Sequence, residues 1–199
     1  MAEERRCEIC GRPLITEKET CLSCRESDIS GEKHCNDHII KMRALFPYTG
    51  KFKTALGSYK FGKALGPGYF FAQCLNSALA DFDFSLFQVA AWVPVPPRPG
   101  KIKAQGWDQI EYLARLLERT RKLPVCRCLK RLPSRSQKEL NREDRASNLK
   151  GRIFCTKRPP ETAVIFDDVV TTGATLNACA DALCKKGCAK IYAICLFYD

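Results

Sequence analysis

The sequence predicts an α/β fold: a parallel sheet with helices on both faces, preceded by a small amino-terminal zinc-ribbon module. Three observations lead there. Apolar strand-like runs alternate with amphipathic helical stretches from about residue 68 onward. One run, VIFDDVVTTGATL at 164–176, carries two carboxylates and a tight glycine turn straight into a helix. Two CxxC pairs stand close together near the amino terminus.

The elements follow in order. Residues 68–82 repeat apolar side chains at helical spacing through Phe71, Cys74, Leu75, Ala78 and Leu79. AAWVPVP at 90–96 is an apolar run stopped by prolines, which marks a buried strand running into a loop. The loop 96–109 is rich in proline, glycine and basic residues. A helix is expected over 109–121, with Ile110, Leu113, Ala114 and Leu117 on one face. A short strand is expected near 124–129. The stretch 130–158, rich in Arg and Lys and poor in large apolar residues, reads as a mobile or partly helical excursion. AVIF at 163–166 is a buried strand with Asp167 and Asp168 at its carboxyl end. A helix follows from about Leu176 to Lys186, ended by Gly187 as a left-handed cap. A last strand covers 189–197. Residues 45–64 mix aromatics and lysines irregularly and point to no element. Strands alternating with helices imply a parallel sheet covered on both faces. Ligands of such sheets bind beyond the carboxyl ends of the strands.

Size and charge narrow the function. The chain has 199 residues, 45% of them hydrophobic, enough for one core of ordinary size and a small appended module. No apolar run approaches the roughly 20 residues that span a bilayer. The start has no apolar stretch after its charges, so a secretory signal is not expected and the cytoplasm is. The net charge is +11 and unevenly spread. Residues 94–158 hold 18 basic and 6 acidic side chains, net +12, while the rest of the chain is close to neutral. So concentrated a basic excess suits phosphates, whether of a nucleotide, a diphosphate or a nucleic-acid backbone. Within it, Arg131, Arg135, Arg142 and Arg145 are the candidate nucleic-acid contacts. Trp107, Tyr59 and Phe61 could stack bases, but each suits a core equally well.

There are thirteen cysteines, an odd number that argues against a simple disulfide framework. Cys7, Cys10, Cys21 and Cys24 form C-x2-C, ten residues, C-x2-C. Each CxxC turn presents two thiolates to one ion, and four thiolates hold zinc in a tetrahedron. Such a closed site leaves no open coordination position, so the expected zinc is structural. The expected boundary is at residue 40, with a zinc ribbon over 1–40 and the main domain over 41–199. His34 and Cys35 are spare candidates for the metal.

The segment 164–176 has its own chemical logic. Asp167 and Asp168 reach the rim of the sheet, where they can accept hydrogen bonds from vicinal hydroxyls or hold Mg2+ through water. Thr171, Thr172, Gly173, Ala174 and Thr175 then turn into a helix. Their N–H groups and hydroxyls make an anion cradle at its N-terminus. A ribose with its hydroxyls on the acids and its 5-phosphate in the cradle fits these parts.

These residues resemble the signature of type I phosphoribosyltransferases: a strand, two acids, an apolar spacer, two Thr, Gly, any residue, Thr. More of the chain resembles one branch, the ComF/GntX family. The matching features are the four-cysteine knuckle, Tyr48 with Gly50, YKFG at 59–62, VPVP at 93–96, GWDQ at 106–109 and LKR at 129–131. Gln137, Arg145, Asn148 and Phe154 complete the set. The chain departs from the family pattern at Gln105, where Arg is usual, and at Asp108, where Asn is usual. Lys101 and Lys103 stand nearby. The resemblance implies a type I phosphoribosyltransferase-like sheet. It implies phosphoribosyl diphosphate or ribose 5-phosphate on Asp167, Asp168 and residues 171–175, and Mg2+ accompanying the diphosphate. Diphosphate contacts are expected from Pro97, Arg98 and Lys101. It further implies single-stranded DNA and other DNA-uptake proteins as partners in natural transformation. Two readings stand side by side: a ComF-like protein that binds phosphoribosyl diphosphate and single-stranded DNA, and an active phosphoribosyltransferase of nucleobase salvage whose acceptor the sequence does not define.

The cysteine spacing makes a first prediction. Protein purified without added metal carries one zinc per chain by elemental analysis. A ratio near zero with the amino-terminal module still folded excludes the four-cysteine site.

Overall fold

The computed structural model describes residues 37–61, 65–82, 90–133, 149 and 151–199. The four zinc-ligand candidates Cys7, Cys10, Cys21 and Cys24 lie outside these residues, as do Arg135, Arg142 and Arg145.

Four strands form a parallel sheet in the order β1-β6-β5-β2. They are β1 (Lys41–Pro47), β2 (Ala90–Pro94), β5 (Thr162–Val170) and β6 (Lys190–Tyr198). Val125 adds a parallel bridge to Trp92 outside β2. Helices α1 (Gly50–Phe61), α2 (Gly66–Ala78), α4 (Gln109–Thr120) and α5 (Ala174–Cys184) cover the sheet, and a short α3 (Lys101–Gln105) follows β2. Ile39 is already buried and the Ile40 N–H donates to the Ile191 carbonyl at 2.9 Å, so contact with the sheet begins just ahead of β1.

The parallel sheet with helices on both faces agrees with the sequence reading, and its strands explain why. Alternate residues of each strand point to opposite faces. On one face Trp92, Val164, Phe166, Tyr192, Ile194 and Leu196 join α1, α2 and α4 through Leu56, Phe71, Leu113 and Leu117. On the other, Val93, Ala163, Ile165, Ala193 and Cys195 meet α5 through Cys179, Ala180 and Leu183. Aromatic rings fill the first face: Phe197 lies 5.5 Å from Phe71 and 5.9 Å from Phe46 between ring centroids. Small residues on the second face let α5 lie against β5, the strand that feeds it.

Local rules account for the helix ends. The Asp108 carboxylate caps α4 by accepting from the N–H groups of Ile110 at 2.9 Å and Glu111 at 3.0 Å. Gly187, at φ +87°, ends α5 in the left-handed conformation expected of it. The Cys188 N–H returns to the Leu183 carbonyl at 3.1 Å and the Gly187 N–H to Cys184 at 2.9 Å, a Schellman pair.

Three segments depart from the sequence reading. Residues 45–64, which showed no regular pattern, hold the end of β1 and all of α1. The acids do not end their strand: β5 runs on to Val170, which pairs with Tyr198. The stretch 130–158 is not wholly an excursion. Arg131 and Lys130 belong to β3 (Leu129–Arg131), which pairs antiparallel with β4 (Ile153–Cys155) inside that stretch. These strands are three residues long, too short for alternation to register. The pairing itself comes from contacts more than twenty residues apart in sequence.

Candidate functional site

An open cleft of about 940 Å3 lies beyond the carboxyl ends of β2 and β5. It is lined by Pro97, Arg98 and Lys101 after β2, by Asp167, Asp168 and residues 171–175 after and within β5, and by Arg131 of β3. The sequence-selected sugar, phosphate and diphosphate residues therefore share one cleft. Arg131, selected for nucleic acid, lies in the same place.

The acid pair is asymmetric. Asp168 is buried, with 6% of its surface exposed, whereas Asp167 is only partly buried. Asp168 is held from three elements. The Lys60 ammonium, from the last turn of α1, lies 2.7 Å from Asp168 Oδ2. The Gln109 side-chain amide, at the start of α4, donates to the same oxygen at 2.6 Å. The Val169 N–H donates to Oδ1 at 2.7 Å. Asp167 accepts through Oδ1 from the Asp168 N–H at 2.8 Å.

The network continues outward. Lys101 Nζ donates to Asp108 Oδ2 at 2.5 Å and also to the Gln109 side-chain carbonyl. Asp108 stands where the resemblance led one to expect Asn, and Lys101 neutralises it. The Tyr59 hydroxyl donates to the Gln109 backbone carbonyl at 2.7 Å and fixes that residue from behind. Tyr59 is fully buried, and its ring meets Trp107 edge-on at 5.3 Å. Two of the three aromatics that could have stacked bases are thus packing residues. Phe61, on the cleft wall, is 73% exposed.

Electrostatics follow from this packing. Burial, then the neighbouring Asp168 charge, push the Asp167 carboxyl up to about 8, with Lys60 only partly offsetting them. Burial alone would lower the Lys60 ammonium, but the Asp168 carboxylate more than reverses this and its net shift is upward. Arg131 is pulled down by burial and then by the like charge of Arg98. The Asp167 carboxylate partly offsets this lowering, so Arg131 lies within electrostatic reach of a like and an opposite charge on the same cleft.

The cradle has the backbone geometry its sequence indicated. Gly173 caps α5 at φ +73°, a left-handed conformation that costs any residue with a Cβ about 1–2 kcal/mol. The Ala174 N–H approaches the Thr172 hydroxyl at 3.4 Å. Helix starts leave their first N–H groups without intrahelical partners, which suits an anion. Among the described residues no cluster of three or more His, Cys, Asp or Glu side chains is arranged to hold a metal ion.

In the sequence Lys60 and Gln109 stand only as parts of YKFG and GWDQ, which point to no role for either side chain. The available signal was their type: a lysine inside an aromatic helix and a glutamine directly after an N-cap aspartate.

Comparison with known proteins adds to this geometry. No family model matches the chain. The chain is 27% identical over 190 residues to competence protein ComFC of Bacillus subtilis, covering 91% of this chain and 72% of that protein. It is 26% identical over 193 residues to competence protein F of Haemophilus influenzae, with 93% and 81% covered. It is 23% identical over 177 residues to ComFC of Streptococcus pneumoniae, with 85% and 76% covered. Over most of its length the chain is similar to competence proteins of the ComF type. The matches cover 91% and 93% of the chain and so include the cleft. Among the described residues no helix is long and apolar enough to cross a membrane.

The raised Asp167 ionisation gives a pH prediction. Below an ordinary carboxyl pKa of about 3.9, folded and unfolded chains both hold the proton. As pH rises, the unfolded chain releases it while the folded chain keeps it to about 8. Asp167 therefore costs stability progressively across that window and no further above it. The stability of Asp167→Asn relative to wild type, from urea midpoints, should grow between pH 5 and 8 and then level off. A flat difference would place the carboxyl at its ordinary ionisation.

Proposed function

We propose that this ComF-like protein binds phosphoribosyl diphosphate in the cleft and single-stranded nucleic acid on the adjoining basic surface, in the handling of incoming DNA during natural transformation. The observation that carries the reading is the convergence, in one cleft at the carboxyl ends of parallel strands, of an acid pair, a glycine-capped helix start and two opposed arginines. The relatives named competence proteins support the biological setting.

The roles follow from chemistry. The helix start and the threonines of 171–175 receive the 5-phosphate. The acids receive ribose hydroxyls. Arg98 and Arg131 receive the diphosphate, whose charge relieves their repulsion. Mg2+ arrives as the counter-ion of the diphosphate. The type I phosphoribosyltransferase-like fold is the architecture this reading assumes. Transfer to a nucleobase is the second reading. It needs an acceptor surface next to the ribose, and the exposed Phe61 ring on the cleft wall is the feature that favours it.

Titration calorimetry with phosphoribosyl diphosphate and Mg2+ tests the sugar-phosphate reading. Wild type should bind. Gly173→Val should abolish binding with the far-ultraviolet spectrum retained, because a side chain enters the phosphate space and forbids the left-handed backbone. Asp167→Asn, measured above pH 8 where the wild-type carboxyl is ionised, should lose about tenfold to a hundredfold, the range for removing a charge-assisted hydrogen bond. Absence of heat with wild type at millimolar ligand refutes it, and equal binding by Gly173→Val moves the ligand elsewhere.

Nucleic-acid binding is tested by its salt dependence. Contacts to about four to six phosphates give a log–log slope near −3 to −4 with single strands. Arg131→Ala, Arg135→Ala and Arg142→Ala together should flatten that slope. Affinity that ignores salt excludes a backbone groove.

A further inference from the structure

The sugar site carries its own cation. Magnesium demands oxygen ligands in near-octahedral geometry at about 2.0–2.1 Å. An ionised carboxylate oxygen offers about two lone-pair sites. Both sites of Asp168 Oδ2 are taken, by the Lys60 ammonium at 2.7 Å and the Gln109 amide at 2.6 Å. The other oxygen accepts the Val169 N–H at 2.7 Å. The Lys60 and Asp168 side chains are 22% and 9% exposed, so water screens this pair little. A metal ion approaching Asp168 would have to displace the ammonium or face its like charge. Asp167 differs. Its Oδ1 accepts one backbone N–H, and its carboxyl lies on the cleft wall. The residues do not fit a divalent ion held by the acid pair.

We propose that Lys60 is the resident cation of the acid pair. It neutralises Asp168 and thereby divides the pair into a clamped, positioning carboxylate, Asp168, and a ligand-facing one, Asp167. The ribose phosphate portion of the ligand is then bound without a divalent ion on the protein. Mg2+ is required only by a diphosphate that brings it. This rests on the sugar-phosphate reading of the cleft and specifies how that site is charged.

The test uses ribose 5-phosphate, which lacks the diphosphate that chelates Mg2+. Calorimetry on the full chain is run in EDTA and in millimolar Mg2+. Wild type should bind equally in both. Lys60→Met, which keeps the length of the side chain and removes the charge, should lose about tenfold to a hundredfold in EDTA. Mg2+ should restore much of that loss, because the ion can now occupy Asp168. Lys60→Arg should behave as wild type. In the absence of sugar, Mn2+ monitored by electron paramagnetic resonance should show no ion on wild type that Asp168→Asn removes, and one new ion on Lys60→Met. Wild-type binding that needs Mg2+ overturns the proposal and leaves the sugar-phosphate reading standing. So does a wild-type Mn2+ ion lost in Asp168→Asn. Lys60→Met that binds as wild type in EDTA overturns the role of Lys60. No wild-type binding in either buffer removes the sugar-phosphate reading and this proposal together. The two wild-type measurements decide even where Lys60→Met fails to fold.

Discussion

Three segments far apart in sequence meet at the Asp168 carboxylate. Lys60 reaches it from the end of α1, Gln109 from the start of α4, and Asp168 itself projects from β5. Each partner is then fixed by something else. Tyr59, one residue before Lys60, is fully buried and donates to the Gln109 backbone, while Lys101 bridges Gln109 to the α4 cap Asp108. Positive and negative groups thus alternate from Lys60 to Asp108. Removing one member of a buried pair leaves an uncompensated charge that costs about 3–5 kcal/mol. The cleft has its shape because this charge chain ties the helical layer to the rim of the sheet.

The two faces of the sheet divide the work. The aromatic face, with Phe46, Phe71, Phe166 and Phe197, carries the largest buried rings and anchors α1, α2 and α4. The other face is built of small side chains, Ala163, Ala193 and Cys195, against Cys179 and Ala180 of α5. A close-packed α5 brings its N-terminus beside the acids on β5, with only a short turn between them. That turn needs the left-handed Gly173 to reverse from strand to helix. Hydrophobic burial therefore sets the distance between the acid pair and the anion cradle, although neither group is apolar.

Both signs of charge line the cleft. Asp167, Asp168, Arg98 and Arg131 all line it, and Arg131 lies within electrostatic reach of both Arg98 and Asp167. The basic excess of residues 94–158 is thus partly internal to the cleft, through Arg98, Lys101 and Arg131, and is not wholly a surface for a polynucleotide.

The sequence by itself determined the elements that depend on neighbours along the chain. The β2 run AAWVP, the helical stripe of 109–121, the buried strand ahead of the acids and the left-handed stop at Gly187 are local patterns, and the alternation of strand with helix made the sheet parallel. The strand, acids, glycine turn and helix start of 163–184 were legible because they are consecutive. What only the tertiary structure decided depends on pairs distant in sequence. The β3–β4 pair joins residues 129–131 to 153–155 across a basic stretch with no periodicity of its own. α1 has no clean amphipathic stripe, because its lysines serve different ends: Lys60 turns to the site while Lys51 and Lys53 lie against the rings of Phe52 and Tyr48. The difference between Asp167 and Asp168 could not be read from two identical adjacent letters. It arises from which carboxylate the folded chain surrounds with donors, and a linear sequence does not state that distance.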